Sequence, residues 1–151
     1  MNRSMNDRIA VKRHYGGTYT STQTPSSGVD VSDLVSAEIL VDIGTITNIA
    51  NSPVPSWTFA LQHSDSESAD FEAVASADVA LNSGNNDGAV SSGVFATVDA
   101  AAEDDTVYRV GYIGTKRYVR VVATAADTPG ATPISVLVVG ERRLAQGAAA
   151  S

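Results

Sequence analysis

The sequence predicts an all-β domain, an antiparallel β-sandwich of jelly-roll type carrying an extended N-terminal arm. Three observations predict it. Val and Thr are frequent and strong helix formers other than Ala are few, which favours pleated, β-branched packing. Several segments alternate apolar and polar residues at period two, the side-chain geometry of a half-buried strand. Turn residues punctuate these segments roughly every 8–15 residues, giving about seven to nine short strands, the spacing of sandwiches and jelly rolls.

Residues 1–15 read as a basic arm with Arg3, Arg8, Lys12 and Arg13; only Ile9, Ala10 and Val11 are suited to an edge strand. The sandwich domain spans 16–145, and 146–151 form a tail. Within the domain, Thr18 to Thr24 is a strand candidate and Pro25 to Gly28 a turn. Ala37 to Thr47 is the first strong strand, with Ile39, Val41 and Ile43 sharing one face. Asn48 to Pro55 breaks the pattern with two prolines. Ser56 to Ser64 alternates cleanly, Trp57, Phe59 and Leu61 pointing one way. SDSESAD (64–70) is a polar loop, and the turn cluster NSGNNDG (82–88) separates two weak strands at Val79 to Leu81 and Gly93 to Asp99.

The last third is the most regular. Thr106 to Ile113 and Arg117 to Ala125 read as a hairpin around a tight Gly-Thr-Lys turn. Tyr108, Val110 and Tyr112 share a face, as do Val119, Val121 and Ala123. After a Pro/Gly loop, ISVLVVG (134–140) is nearly all apolar and reads as a central strand covered on both faces. Gly114 permits the turn, while Gly111 marks a bulge or a close backbone neighbour.

The chain has 151 residues, no cysteine and a formal charge of −7. Disulfides and thiolate chemistry are excluded. The apolar runs fall well short of the roughly 18 residues of a membrane helix, and the N-terminus lacks the apolar core of a secretory signal. The charges are segregated: no Lys or Arg lies between Arg13 and Arg109, a stretch rich in Asp and Glu. Such a chain either solvates an acidic face or docks one pole on an oppositely charged partner.

Motifs for catalysis, phosphate or cofactor binding are missing from the sequence. His63 ends the Trp57 strand and reads as a partly buried strand-end histidine; with Asp65 and Glu67 alone it makes no metal-binding pattern. Adjacent Glu103, Asp104 and Asp105 read as a solvated turn rather than two carboxylates set across a cleft. The chain is therefore expected to be no enzyme and to need no cofactor or metal. The dense basic feature is Arg109, Lys116, Arg117 and Arg120, interleaved with Tyr108, Tyr112 and Tyr118. Tyr and Arg are favoured anchors at protein interfaces, whereas the acidic balance disfavours nucleic acid.

The segment YRVGYIGTKRYVRVVATAADTPGATPISVLVVGERRLA (108–145) resembles a group of small tailed-bacteriophage proteins encoded near the major capsid protein. Gly111, Gly114, Lys116, Arg117, Tyr118, Val119, Arg120 and Gly140 carry the likeness, and WTFALQHSDSESADFEAVASADV (57–79) shares the group's strand and acidic loop. The resemblance implies a capsid decoration (cement) protein on the outer surface of the virion head, made in the host cytoplasm. Its expected partner is the major capsid protein, with self-association, a trimer favoured, and with neither nucleic acid nor membrane as partner. The expected docking residues are Arg3, Arg8, Lys12, Arg13, Tyr108, Arg109, Tyr112, Lys116, Arg117, Tyr118 and Arg120. A head–tail connector or tail-associated structural protein is the alternative.

Overall fold

A computed structural model describes residues 5–80 and 90–143. A single helical turn, α1 (Met5–Arg8), leads into strands β1 (Ile9–Tyr19), β2 (Val29–Asp30), β3 (Leu34–Ile43), β4 (Ser56–Ser64), β5 (Glu72–Ala73), β6 (Val79–Ala80), β7 (Val94–Val98), β8 (Thr106–Tyr112), β9 (Tyr118–Ala126) and β10 (Thr132–Arg142). The protein is all-β with two antiparallel sheets. Sheet A runs β1-β10-β3-β8-β6. Sheet B runs β2-β9-β4, and the far edge of β4 pairs with β7 over its first half and with β5 at its end.

The inward faces of both sheets contribute to one buried cluster. In β4, Trp57, Phe59 and Leu61 are wholly buried, as the period-two pattern predicts. Their neighbours across the strands are small where the rings are large. Phe59 lies between Ala123 and Ala96, and Trp57 between Ala125 and Val98. Bulk on the central strand is thus accommodated by small side chains on either side, and each buried ring contributes about 1.5–3 kcal/mol of transfer free energy. Two buried polar contacts join the sheets. Trp57 Nε1 donates to Thr132 Oγ1 at 3.1 Å, and the ring of His63 meets the hydroxyl of Tyr112 at 2.9 Å.

Most strand positions follow the periodicity, but the candidate at Thr18 to Thr24 does not form, since β1 ends at Tyr19 and only Gln23 bridges to Ala123, and two connections differ from expectation. Within the expected arm, residues 9–15 belong to a strand: β1 pairs with β10 along its whole length, with a bulge at His14. Ala10 is buried and Lys12 turns the same way, so the pattern of a half-buried strand extends beyond Val11. Nor do β8 and β9 form a hairpin. β8 pairs with β3 and β6 in sheet A, whereas β9 pairs with β4 and β2 in sheet B. The Gly114 turn carries the chain from one sheet to the other. The ring of Tyr112 folds onto it so closely that a Cβ at Gly114 would sit 2.6 Å away, which only glycine avoids. At Gly111 the neighbour is backbone: a Cβ there would lie 3.0 Å from the Ala80 carbonyl oxygen. The NSGNNDG cluster, Leu81 and the 146–151 tail lie outside the described residues.

Candidate interaction surfaces

The expected docking residues separate into three groups. Tyr108 and Tyr112 point inward. They are 6% and 4% exposed, and their rings belong to the core, so they are not surface anchors. The Tyr108 hydroxyl donates to the Glu103 carbonyl at 2.8 Å. The Tyr112 hydroxyl accepts from the Lys116 N–H at 3.0 Å, lies within donating distance of the Lys116 carbonyl at 3.4 Å, and shares a hydrogen bond with His63 Nδ1 at 2.9 Å. His63 Nε2 lies 3.6 Å from Glu72 Oε1. Burial pushes the Tyr112 hydroxyl up to about 12, so it stays neutral.

The second group is basic and engaged within the chain. Arg117 donates from Nε and Nη2 to Asp30 Oδ2 at 3.0 and 2.7 Å, and its guanidinium lies 5.1 Å from the ring of half-buried Tyr118. Hydrogen bonding from Arg117 holds the Asp30 carboxyl well below the usual carboxylate range. Lys116 pairs with Asp65 at 2.7 Å, and Lys12 pairs with Asp33 while donating to the Asp30 carbonyl. Arg120 donates to Gln62 Oε1 at 2.8 Å and to the Pro25 carbonyl at 2.7 Å, and stacks 4.0 Å over Phe71. These contacts fasten the 65–71 loop and the chain near residue 25 over the end of sheet B. The basic cluster is thus partly neutralised by the very carboxylates that the sequence keeps apart from it.

The third group lies on or beside the outward face of sheet A. Arg13 and Arg109 flank the cross-strand pair Leu137 and Leu40 in one row. Arg13 donates to the Gly16 carbonyl at 2.9 Å, Arg109 lies 3.4 Å from Glu38, and Arg8 pairs with Glu141 at 2.8 Å. Arg3 lies outside the described residues.

Sequence reasoning missed this face as a unit. Val11, Val139, Leu137 and Leu40 occupy adjacent outward positions, where a solvated face would carry polar residues. Val11 is 63% exposed, and Ile113 at the end of β8 is 61% exposed. The signal was present in ISVLVVG, but the register that brings Val11 and Leu40 beside it was not.

A different feature marks the end of the molecule where β3, β7 and β9 finish. Asp99, Glu103, Asp104, Asp105 and Asp127 lie in its loops, and no described Lys or Arg does. Three of these carboxylates also shape the loops, Glu103 accepting from the Asp99 N–H at 3.0 Å. Asp104 accepts from the Ile46 N–H at 3.0 Å and Asp105 from Thr45 Oγ1 at 2.8 Å. Comparison with protein-family models, with curated proteins and with solved structures gives no match to this chain.

Proposed function

We propose that this chain is a structural protein of a tailed-bacteriophage virion, a cement protein that binds the outer surface of the head and bridges neighbouring capsomers. The fold reading that goes with it is a two-layered sandwich of jelly-roll type. It is supported by the strand orders β1-β10-β3-β8 and β2-β9-β4-β7, in which every consecutive step along the chain except β4 to β5 crosses between the sheets, as in interleaved Greek keys. The choice of partner rests on the resemblance of residues 57–79 and 108–145.

The observation that carries the docking mode is the bipolar surface. One end presents five carboxylates with no described cation in its loops, while every described Lys and Arg lies elsewhere. A pole of one sign steers and registers the domain on a basic capsomer surface. The ionisable groups that lie near one another serve the scaffold: His63 holds Tyr112, and Glu103 accepts from the Asp99 N–H. Binding only to the assembled shell stabilises that shell by mass action, with no bond made or broken.

Mixing the purified protein with expanded, undecorated heads and pelleting them across a salt series tests the reading. Co-sedimentation that weakens as salt rises is expected, and the Asp99→Asn/Asp127→Asn double variant should pellet less at every salt concentration. Protein that stays in the supernatant throughout ends the proposal. Densitometry of virions separates cement from connector: the copy number should track the capsid protein rather than the portal ring.

A further inference from the structure

We infer that the outward face of sheet A is the surface through which copies of this chain associate with one another. β10 has the composition of a strand covered on both sides, yet only its inward residues are covered. Ile134, Val136 and Val138 are at most 2% exposed, whereas outward Leu137 and Val139 are only half-buried. Beside them stands Val11, fully outward on β1. The patch also runs into a groove of about 530 Å³ floored by Gly111 and Ala80 and walled by Val139 and Ile113.

The charges on this face identify the occupant as a second copy. Outward Arg13 and Arg109 share the strands with Glu38, Asp42 and Glu141, and Arg8 at the rim pairs with Glu141, so the face is close to neutral in a chain whose total is −7. Most of the excess negative charge therefore lies elsewhere. Two copies approaching through the carboxylate-rich end bring like charge together; here they meet without net repulsion, and cations and carboxylates in neighbouring rows give each copy partners on the other. Edge-on pairing is the less favourable route. β1 is the long edge strand, and its bulge at His14 and the flanking Lys12 and Arg13 are features that blunt strand addition. Association is therefore face-on, about the Leu40, Leu137 and Val11 patch. This assignment concerns self-association and stands apart from binding to the head.

Sedimentation velocity of the full chain over a concentration series tests it. The wild type should sediment as an oligomer, with Val11→Glu and Leu137→Glu each raising the concentration needed for association by about tenfold or more. Val54→Glu, at a site 51% exposed in the loop after β3, should leave association unchanged. Val11→Glu carries the test if Leu137→Glu fails to melt cooperatively. A wild type that is monomeric throughout the series overturns the inference, as does association unaffected by Val11→Glu. Either result leaves the head-pelleting assay free to decide the proposed function, and loss of pelleting by Val11→Glu with association intact would reassign this face to the shell.

Discussion

The outward faces of the two sheets solve the same problem in opposite ways. Sheet B presents Thr58, Ala60 and Gln62 on β4 and Arg120 and Thr124 on β9, with Val122 as the apolar residue among them. At its β2 end the chain also covers itself. Phe71 rests on Arg120 and against Gly28, and the Glu67 carbonyl accepts from the Gly28 N–H at 2.8 Å. Sheet A carries Leu40, Leu137, Val139 and Val11 at equivalent outward positions, and these remain half-buried or exposed. A face that is polar or self-covered is finished within one chain. An apolar face with balanced charge is completed by another.

Three probes test that difference, beginning with the core on which both faces rest. Trp57→Ala removes a fully buried ring and leaves Thr132 Oγ1 without its donor. It should cost about 3–5 kcal/mol in urea unfolding, and a loss below about 1 kcal/mol would mean that the two sheets do not share this core. Arg120→Ala breaks the fastening of sheet B's cover by freeing Gln62, the Pro25 carbonyl and Phe71. We expect a loss of about 1–2 kcal/mol, tempered by the partial exposure of the site, together with faster hydrogen exchange confined to residues 23–28 and 65–71.

The third probe is pH, acting at the bulge where β1 borders both layers. Burial, and then the charge of Arg120, hold the His14 imidazole down to about 4. In the unfolded chain a histidine takes up its proton near 6.5. Between these values the unfolded state binds more protons, so stability is full above about pH 6.5 and falls as the pH drops toward 4. The loss should be on the order of 1–3 kcal/mol. His14→Gln should flatten the slope in that window, and an unchanged slope would show that His14 is solvated. Burial also pushes the Tyr15 hydroxyl upward, and this hydroxyl and His14 Nε2 are buried without hydrogen-bond partners, so the bulge already carries a desolvation cost.

The strands were legible because alternation is a local property. Ser56–Ser64 was predicted to its end residues, and the strands at 106–112 and 118–126 to within one residue. Pairing was not legible. The Gly114 turn reads equally as a hairpin loop or as a crossing between layers, since period two records which side of a strand is buried and not which strand lies beside it. The same gap misplaced Tyr108 and Tyr112. Their shared face was evident, but Arg109 between them and the basic residues that follow suggested an adhesive surface, and the core claimed the rings.

Composition and periodicity by themselves determined that this chain builds antiparallel strands with Trp57, Phe59 and Leu61 inside and that its charges are divided along its length. Tertiary structure alone decided where those charges meet: Asp30 beside Arg117, Asp65 beside Lys116, and a carboxylate-rich end set apart from both. It also decided that Val11, Leu40 and Leu137, up to 126 positions apart in sequence (137 − 11), form one patch. The reason is physical. Side-chain alternation is encoded within a few residues, whereas register and layer assignment depend on which distant partner a strand's backbone hydrogen bonds select.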